Sequence, residues 1–171
     1  MNRTDLIELF NYNAWANARI LAGAERLSTD QLVAPANLDH GSAFQTLLHM
    51  VDVEWSWRLM AQRIPTPTVL WELETLTELA HIKAYWHIEQ AQMLSYIQNT
   101  DEQTLNALVE YGTPQGWSAQ NAKLWQILAH VVNHGTQHRT ELARYLTDCG
   151  HSPGDLSLLG FLSIKEGGLS A

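Results

Sequence analysis

The chain has one cysteine in 171 residues, Cys149, so no disulfide can form within it. Cys149 stands at an expected helix C-terminus beside Gly150. A low-pKa catalytic thiolate needs a positive neighbourhood or a helix N-terminus, so this thiol reads as inert. Positive charge is also sparse. Ten Lys and Arg stand against 18 Asp and Glu, a net charge of −8, with no basic cluster to meet a phosphate backbone or an anionic lipid surface. Nucleic-acid and membrane partners are therefore not expected. No apolar run is long enough to cross a bilayer. The segment from Met1 to Trp15 carries Asp5 and Glu8 and lacks the basic start and unbroken apolar stretch of a secretory signal. A reducing, cytoplasmic setting is the expectation. Strand signals are nearly missing as well.

What is present is helical periodicity and histidine. A length of 171 residues suits one domain with a proper core, spanning 1–171. Spacing of apolar residues predicts four long helices: from Thr4 or Asp5 to Leu27, from Ser42 to Arg63, from Leu76 to Gln98, and from Ser118–Asn121 to Cys149. Ser28 with Gln31, and Ser42 with Gln45, have the spacing of capping boxes. Thr100 with Gln103 and Asp155 are further candidate caps. Gly112, Pro114 and Gly116 mark a loop or small hairpin within Val109–Trp117, and the tail from Lys165 is expected to fray. Residues 64–75 form a linker. About 12 extended residues span roughly 40 Å, and a helix of about 22 residues is only about 33 Å long. The linker can therefore run the length of the molecule and leave the second and third helices parallel. The pattern is that of an all-α bundle.

Within the fourth segment stands His130-Val-Val-Asn-His134-Gly-Thr-Gln-His138-Arg139. Residues four apart stack on one helix face, so two of these imidazoles can grip one metal ion. His130 and His138 are about 12 Å apart along a straight helix, so either 130/134 or 134/138 is the chelating pair. A third ligand must come from another helix, and His49, in the middle of the second, is the best candidate. The rival reading is a set of hydrogen-bonded core histidines. Glu141 can orient the His138 ring through its second nitrogen. The simpler reading of Glu141 and Arg139 is an ion pair to another helix. His81 and His87 lack ligand spacing, and His40 and His151 fall in expected loops; all four read as surface or packing residues.

The chain resembles the DinB-like family, in the wider group of DinB/YfiT-like metal-dependent thiol transferases. The resemblance rests on Asn11-Tyr12-Asn13-Ala14-Trp15-Ala16-Asn17, on Leu47-Leu48-His49 with Trp55 after it, on His130 through Arg139, and on Gly150, Pro153, Asp155 and Leu156. It implies an up-down-down-up four-helix bundle with short extra helices. It also implies a divalent metal held by His49, His134 and His138, with His130 as a neighbour of the site. Zinc and nickel head the candidate ions. A homodimer is the family expectation.

An ion held by imidazoles without cysteine keeps an open position, the arrangement that suits catalysis. The leading expectation is an enzyme that transfers a low-molecular-weight thiol to a small-molecule electrophile, with Tyr12, Trp15, Trp55 and Trp57 as candidate pocket residues and Arg139 as a candidate clamp for a substrate carboxylate. The alternatives are a metal-dependent hydrolase, with Asp52 or Glu54 as candidate base, and a non-catalytic metal-binding or stress-response protein. The last gains if a side chain blocks the open position.

Overall fold

The computed structural model describes residues 1–65, 69–111 and 120–167. Four long helices carry the fold: α1 (Arg3–Ala24), α3 (Ala43–Ala61), α5 (Leu79–Asn99) and α7 (Leu124–Asp148). Short helices fill the connections: α2 (Thr29–Val33), α4 (Leu70–Leu73), α6 (Glu102–Asn106) and the terminal α8 (Leu158–Gly167). A two-stranded antiparallel sheet, β1 (Leu108–Tyr111) with β2 (Gln120–Lys123), pairs Val109 with Ala122 and leads directly into α7. The expected turn at Gly112, Pro114 and Gly116 lies outside the described residues, as does the end of the expected frayed tail. Among the described residues the fold is all-α apart from this ribbon.

Local chemistry sets the helix starts. The Asn2 side chain accepts from the Asp5 N–H while Asp5 accepts from the Asn2 N–H, a reciprocal box that opens α1. Ser28 and Gln31 form the same box at α2. Ser42 Oγ accepts from the Gln45 N–H and starts α3, without the return bond that the Ser-x-x-Gln spacing suggests. At α6 the cap is Asp101, which accepts from the Thr104 N–H, one residue beyond the expected Thr100. A carboxylate is the stronger acceptor, and it wins the position. Asp155 accepts from the Ser157 N–H, and Ser157 in turn caps the first turn of α8. Helix α7 begins at Leu124, later than expected, because Gln120–Lys123 is held in the sheet.

Paired residues show how the long helices run. Arg3 meets the Gln98 carbonyl and Lys83 meets Glu25, so α1 and α5 are antiparallel. Arg58 pairs with Glu89 and the Ala61 carbonyl accepts from Tyr96, so α3 and α5 run the same way. His49 approaches His138 while Trp57 approaches His130, so α3 and α7 oppose each other.

Two apolar layers fill the interior. One gathers Ile20, Leu47, Val51, Ile82, Trp86, Leu142 and Leu146, and the other Leu6, Phe10, Met93, Ile97, Leu128 and Val131. Each long helix crosses a polar level between them, made of Asn13, Asn17, Glu54, Arg58, Glu89, His138 and Arg139, all buried. Buried polar groups persist only when paired. Here Arg58 forks onto both Glu89 oxygens. The Asn13 and Asn17 amides donate to Glu54 Oε1, and their carbonyls accept from Arg139 Nη1. Arg139, read from the sequence as an ion-pair partner to another helix or a candidate substrate clamp, instead hydrogen-bonds two asparagines of another helix. It joins α7 to α1, and its charge lies across the asparagines from Glu54.

Candidate metal centre

The site forms where α3 and α7 face each other. Helical spacing brings His134 and His138 onto one face, and the antiparallel crossing brings His49 opposite them. The His134 Nε2 lies 3.3 Å from His49 Nε2 and 3.2 Å from His138 Nε2. Two ligands about 2.0–2.1 Å from one ion lie about 2.9 Å apart at a right angle and about 3.4 Å apart at a tetrahedral one. Both observed distances fall between these limits.

Hydrogen bonding alone accounts poorly for this geometry. A neutral ring nitrogen carries either one proton or one lone pair. His134 Nε2 faces two other Nε2 atoms and can make only one good bond between them. As a donor set for a cation, all three lone pairs are used.

The electrostatics agree with that chemistry. Burial, followed by the neighbouring rings of His40, His134 and His138, lowers the His49 pKa to about 3. Burial, then His138, His130 and His40, lowers His134 to about 4. Both rings are therefore neutral at pH 7, the form that binds metal. His138 turns its Nδ1 to Glu141 Oε2 at 3.3 Å. This is the orienting contact weighed against an inter-helix ion pair, and Glu141 makes it within its own helix. A carboxylate on one ring nitrogen directs the other toward a ligand.

A residue read from the sequence as a loop histidine joins the group. The His40 ring stacks on His49 at 3.7 Å between centroids and meets His138 edge-on at 5.1 Å. Ring nitrogens of His40, His49 and His138 all lie within 4.8 Å of one another. The periodicity that exposes the other histidines is missing from a loop, and no spacing signal marks this one. His130 stays exposed at the edge, its ring 6.1 Å from His134 and edge-on to Trp57. His81 and His87 are exposed on α5, and the His151 carbonyl accepts from Arg26.

The chain matches the family model described as the DinB family over residues 1–167. It belongs to the DinB family. It is also similar to "Protein DinB" of Bacillus subtilis (strain 168), 23% identical over 174 residues that cover 93% of this chain and 95% of that protein. In this DinB-family chain the histidine cluster is compatible with a bound metal ion. The other candidate site residues have different employment. Glu54 is consumed by Asn13 and Asn17, and burial raises its pKa. Asp52, also shifted upward by burial, accepts from the Leu70 N–H at 2.6 Å. Tyr12 donates to the Leu156 carbonyl and packs with Trp15 against Phe161, while Trp55 belongs to the core. Of the four candidate pocket aromatics, Trp57 is the one beside the histidine row. Two surface depressions lie elsewhere, one lined by Arg58, His87 and Tyr96 and the other by Met60, Arg63 and Val109. Among the described residues no helix is long and apolar enough to cross a membrane.

Proposed function

We propose that this DinB-family protein binds one divalent ion, zinc or nickel, through His49, His134 and His138, and uses it to transfer a low-molecular-weight thiol to a small electrophile. One observation carries the metal reading: His134 Nε2 lies 3.3 Å from His49 Nε2 and 3.2 Å from His138 Nε2, two contacts of which a neutral ring nitrogen can make only one a good hydrogen bond. The family expectation supplies the thiol transfer. An ion held by three neutral imidazoles retains its full charge and an exchangeable position, and it favours the thiolate form of a bound thiol.

The chain's own groups then have definite tasks. His49 comes from α3 and the other two rings from α7, so the site exists only when these helices are packed. Glu141 holds the His138 ring by its Nδ1. Arg139, one residue on, anchors the same helical turn to Asn13 and Asn17 of α1 and keeps the ligand pair from rotating. Asp52 and Glu54, the bases expected for a hydrolase, are engaged in structural bonds.

A second reading has an observation behind it. His40 covers His49, and a covered site suits a non-catalytic metal-binding protein, including one made in a stress response. The protein acts in either case as a cytoplasmic homodimer in this proposal, with no nucleic-acid or membrane partner.

The experiment is elemental analysis of tag-free protein, followed by product analysis with an electrophile and a panel of low-molecular-weight thiols. One equivalent of metal is expected in wild type and in His87→Ala, and a sharp loss in His49→Ala, His134→Ala and His138→Ala. Equal metal in all variants refutes the site. Metal-dependent conjugation supports transfer, whereas turnover without a thiol, or none with metal in place, refutes it.

A further inference from the structure

We propose that His40 binds the anion that occupies the open position of the ion, donating a ring N–H to it while making no bond to the ion itself. The proposal rests on the metal reading above and deepens it. It names the residue of the α2–α3 loop that holds the incoming group, a thiolate in that reading.

The loop carries this ring to one place. The Ala36 N–H donates to the Gly41 carbonyl at 2.8 Å, and the Gly41 N–H donates to the Leu38 carbonyl at 2.9 Å. These bonds close residues 36–41 into a compact turn. Gly41 has φ +79, a left-handed conformation that side chains with a Cβ rarely adopt. Ser42 then caps α3 through the Gln45 N–H. His40 thus stands between a self-bonded turn and a capped helix, with its half-buried ring beside the proposed ligands.

Ring orientation decides what its nitrogens can reach. His40 lies face to face with His49, the centroids 3.7 Å apart and the planes 22° apart. An imidazole lone pair lies in the plane of its ring, so two stacked rings direct theirs side by side and not at one ion. One nitrogen of His40 still lies within 4.8 Å of nitrogens of His49 and His138, in a group that leaves out His134. The His138 ring meets His40 edge-on, with centroids 5.1 Å apart. The His40 nitrogen is therefore a ring's thickness away from the His49 plane, on the side that faces His138. A donor there serves a group bound to the ion, because a hydrogen bond spans about 2.7–3.2 Å between heavy atoms.

The chemistry suits that task. A ring N–H is present in the neutral imidazole and in the imidazolium alike, so the bond to an anion needs no change of charge. Hydrogen bonds to charged groups are the stronger ones, and loss of one weakens an anion about tenfold or more. His49, His134 and His138 come from packed helices and hold the ion without help from the loop. Removal of His40 should therefore act on the anion and spare the ion.

The test uses the full chain loaded with Co(II), titrated with azide as the probe anion and followed by visible absorption. His40→Phe keeps a ring stacked on His49 and lacks the N–H. His40→Gln restores a side-chain N–H at similar reach. Co(II) affinity is expected to match wild type in both. Azide should bind about tenfold or more weakly to His40→Phe and recover most of that loss in His40→Gln. Azide bound as tightly or more tightly by His40→Phe overturns the proposal, because the ring is then a cover only. A His40→Phe protein that loses Co(II) affinity overturns it too, since the residue then serves the ion and not the anion. His40→Gln no better than His40→Phe has the same meaning. Wild type that takes up Co(II) and binds no azide refutes this proposal and leaves the metal reading standing. Wild type that takes up no Co(II) refutes the metal reading, and this proposal with it.

Discussion

Gly135 sits between His134 and His138 on α7, and its replacement by alanine sets two effects against each other. In an exposed helix interior, Ala is favoured over Gly by about 1 kcal/mol. At position 135, however, an added Cβ falls 2.8 Å from Arg139 Nη1 and 3.2 Å from Asn13 Oδ1. The guanidinium is the far end of a long side chain, which ordinarily yields easily. Here it is 2% exposed and tied to both asparagine carbonyls, so it yields only by breaking those bonds. A hydrogen bond to a charged group contributes about 1.5–3 kcal/mol. Loss of both outweighs the propensity gain, for a net destabilisation of about 2–5 kcal/mol. For a chain of this size that lowers Tm by roughly 5–15 °C. Thermal unfolding of metal-free protein followed by circular dichroism measures it. The decisive comparison repeats Gly135→Ala in an Arg139→Ala background, where the closer contact is gone, Asn13 is no longer tied to the guanidinium, and the substitution should cost much less or be stabilising by up to about 1 kcal/mol. A Gly135→Ala protein as stable as wild type, or equal losses in both backgrounds, refutes the reasoning.

Arg58→Met leaves the buried Glu89 carboxylate without its partner and should destabilise by about 3–5 kcal/mol in urea unfolding, while Arg58→Met with Glu89→Leu should recover most of that loss. In the metal-free protein His49 and His134 titrate at about 3 and about 4, below the 6.5 of a free imidazole, because burial disfavours the charged ring. As pH falls below 6.5 the unfolded chain takes up protons first, so these two rings destabilise the fold progressively down to about 4 and about 3. Their ring proton resonances should therefore stay unchanged in NMR spectra from pH 7.5 to 5, and midpoints near 6.5 would contradict the burial argument. Burial shifts Asp52, Glu54 and Glu89 upward, and these carboxylates act in the opposite direction. The difference in stability between wild type and His49→Phe across that range isolates the histidine contribution.

Long helices were legible in the sequence because periodicity and capping are local. Their starts moved by up to several residues where a neighbouring element competed, as β2 does for the first turn of α7. The histidine row was legible for the same reason: His130 and His134, and His134 and His138, are each one helical turn apart wherever the helix goes, and spacing left the choice between these pairs open. Other features depended on packing between distant segments. The Arg139 sequence context suggests an ion pair, and only the meeting of α7 with α1 provides Asn13 and Asn17 as its partners. His49 becomes a neighbour of His134 through the crossing of α3 and α7, a contact between residues 85 apart. His40 carries no periodic signal, since a loop residue's position is decided by where its turn is clamped. Sequence alone determined the helices and the row of imidazoles on one face of α7, because those interactions span a few residues. Which of those imidazoles gather with His49 and His40 was decided by tertiary structure, since it depends on which helix faces are buried together.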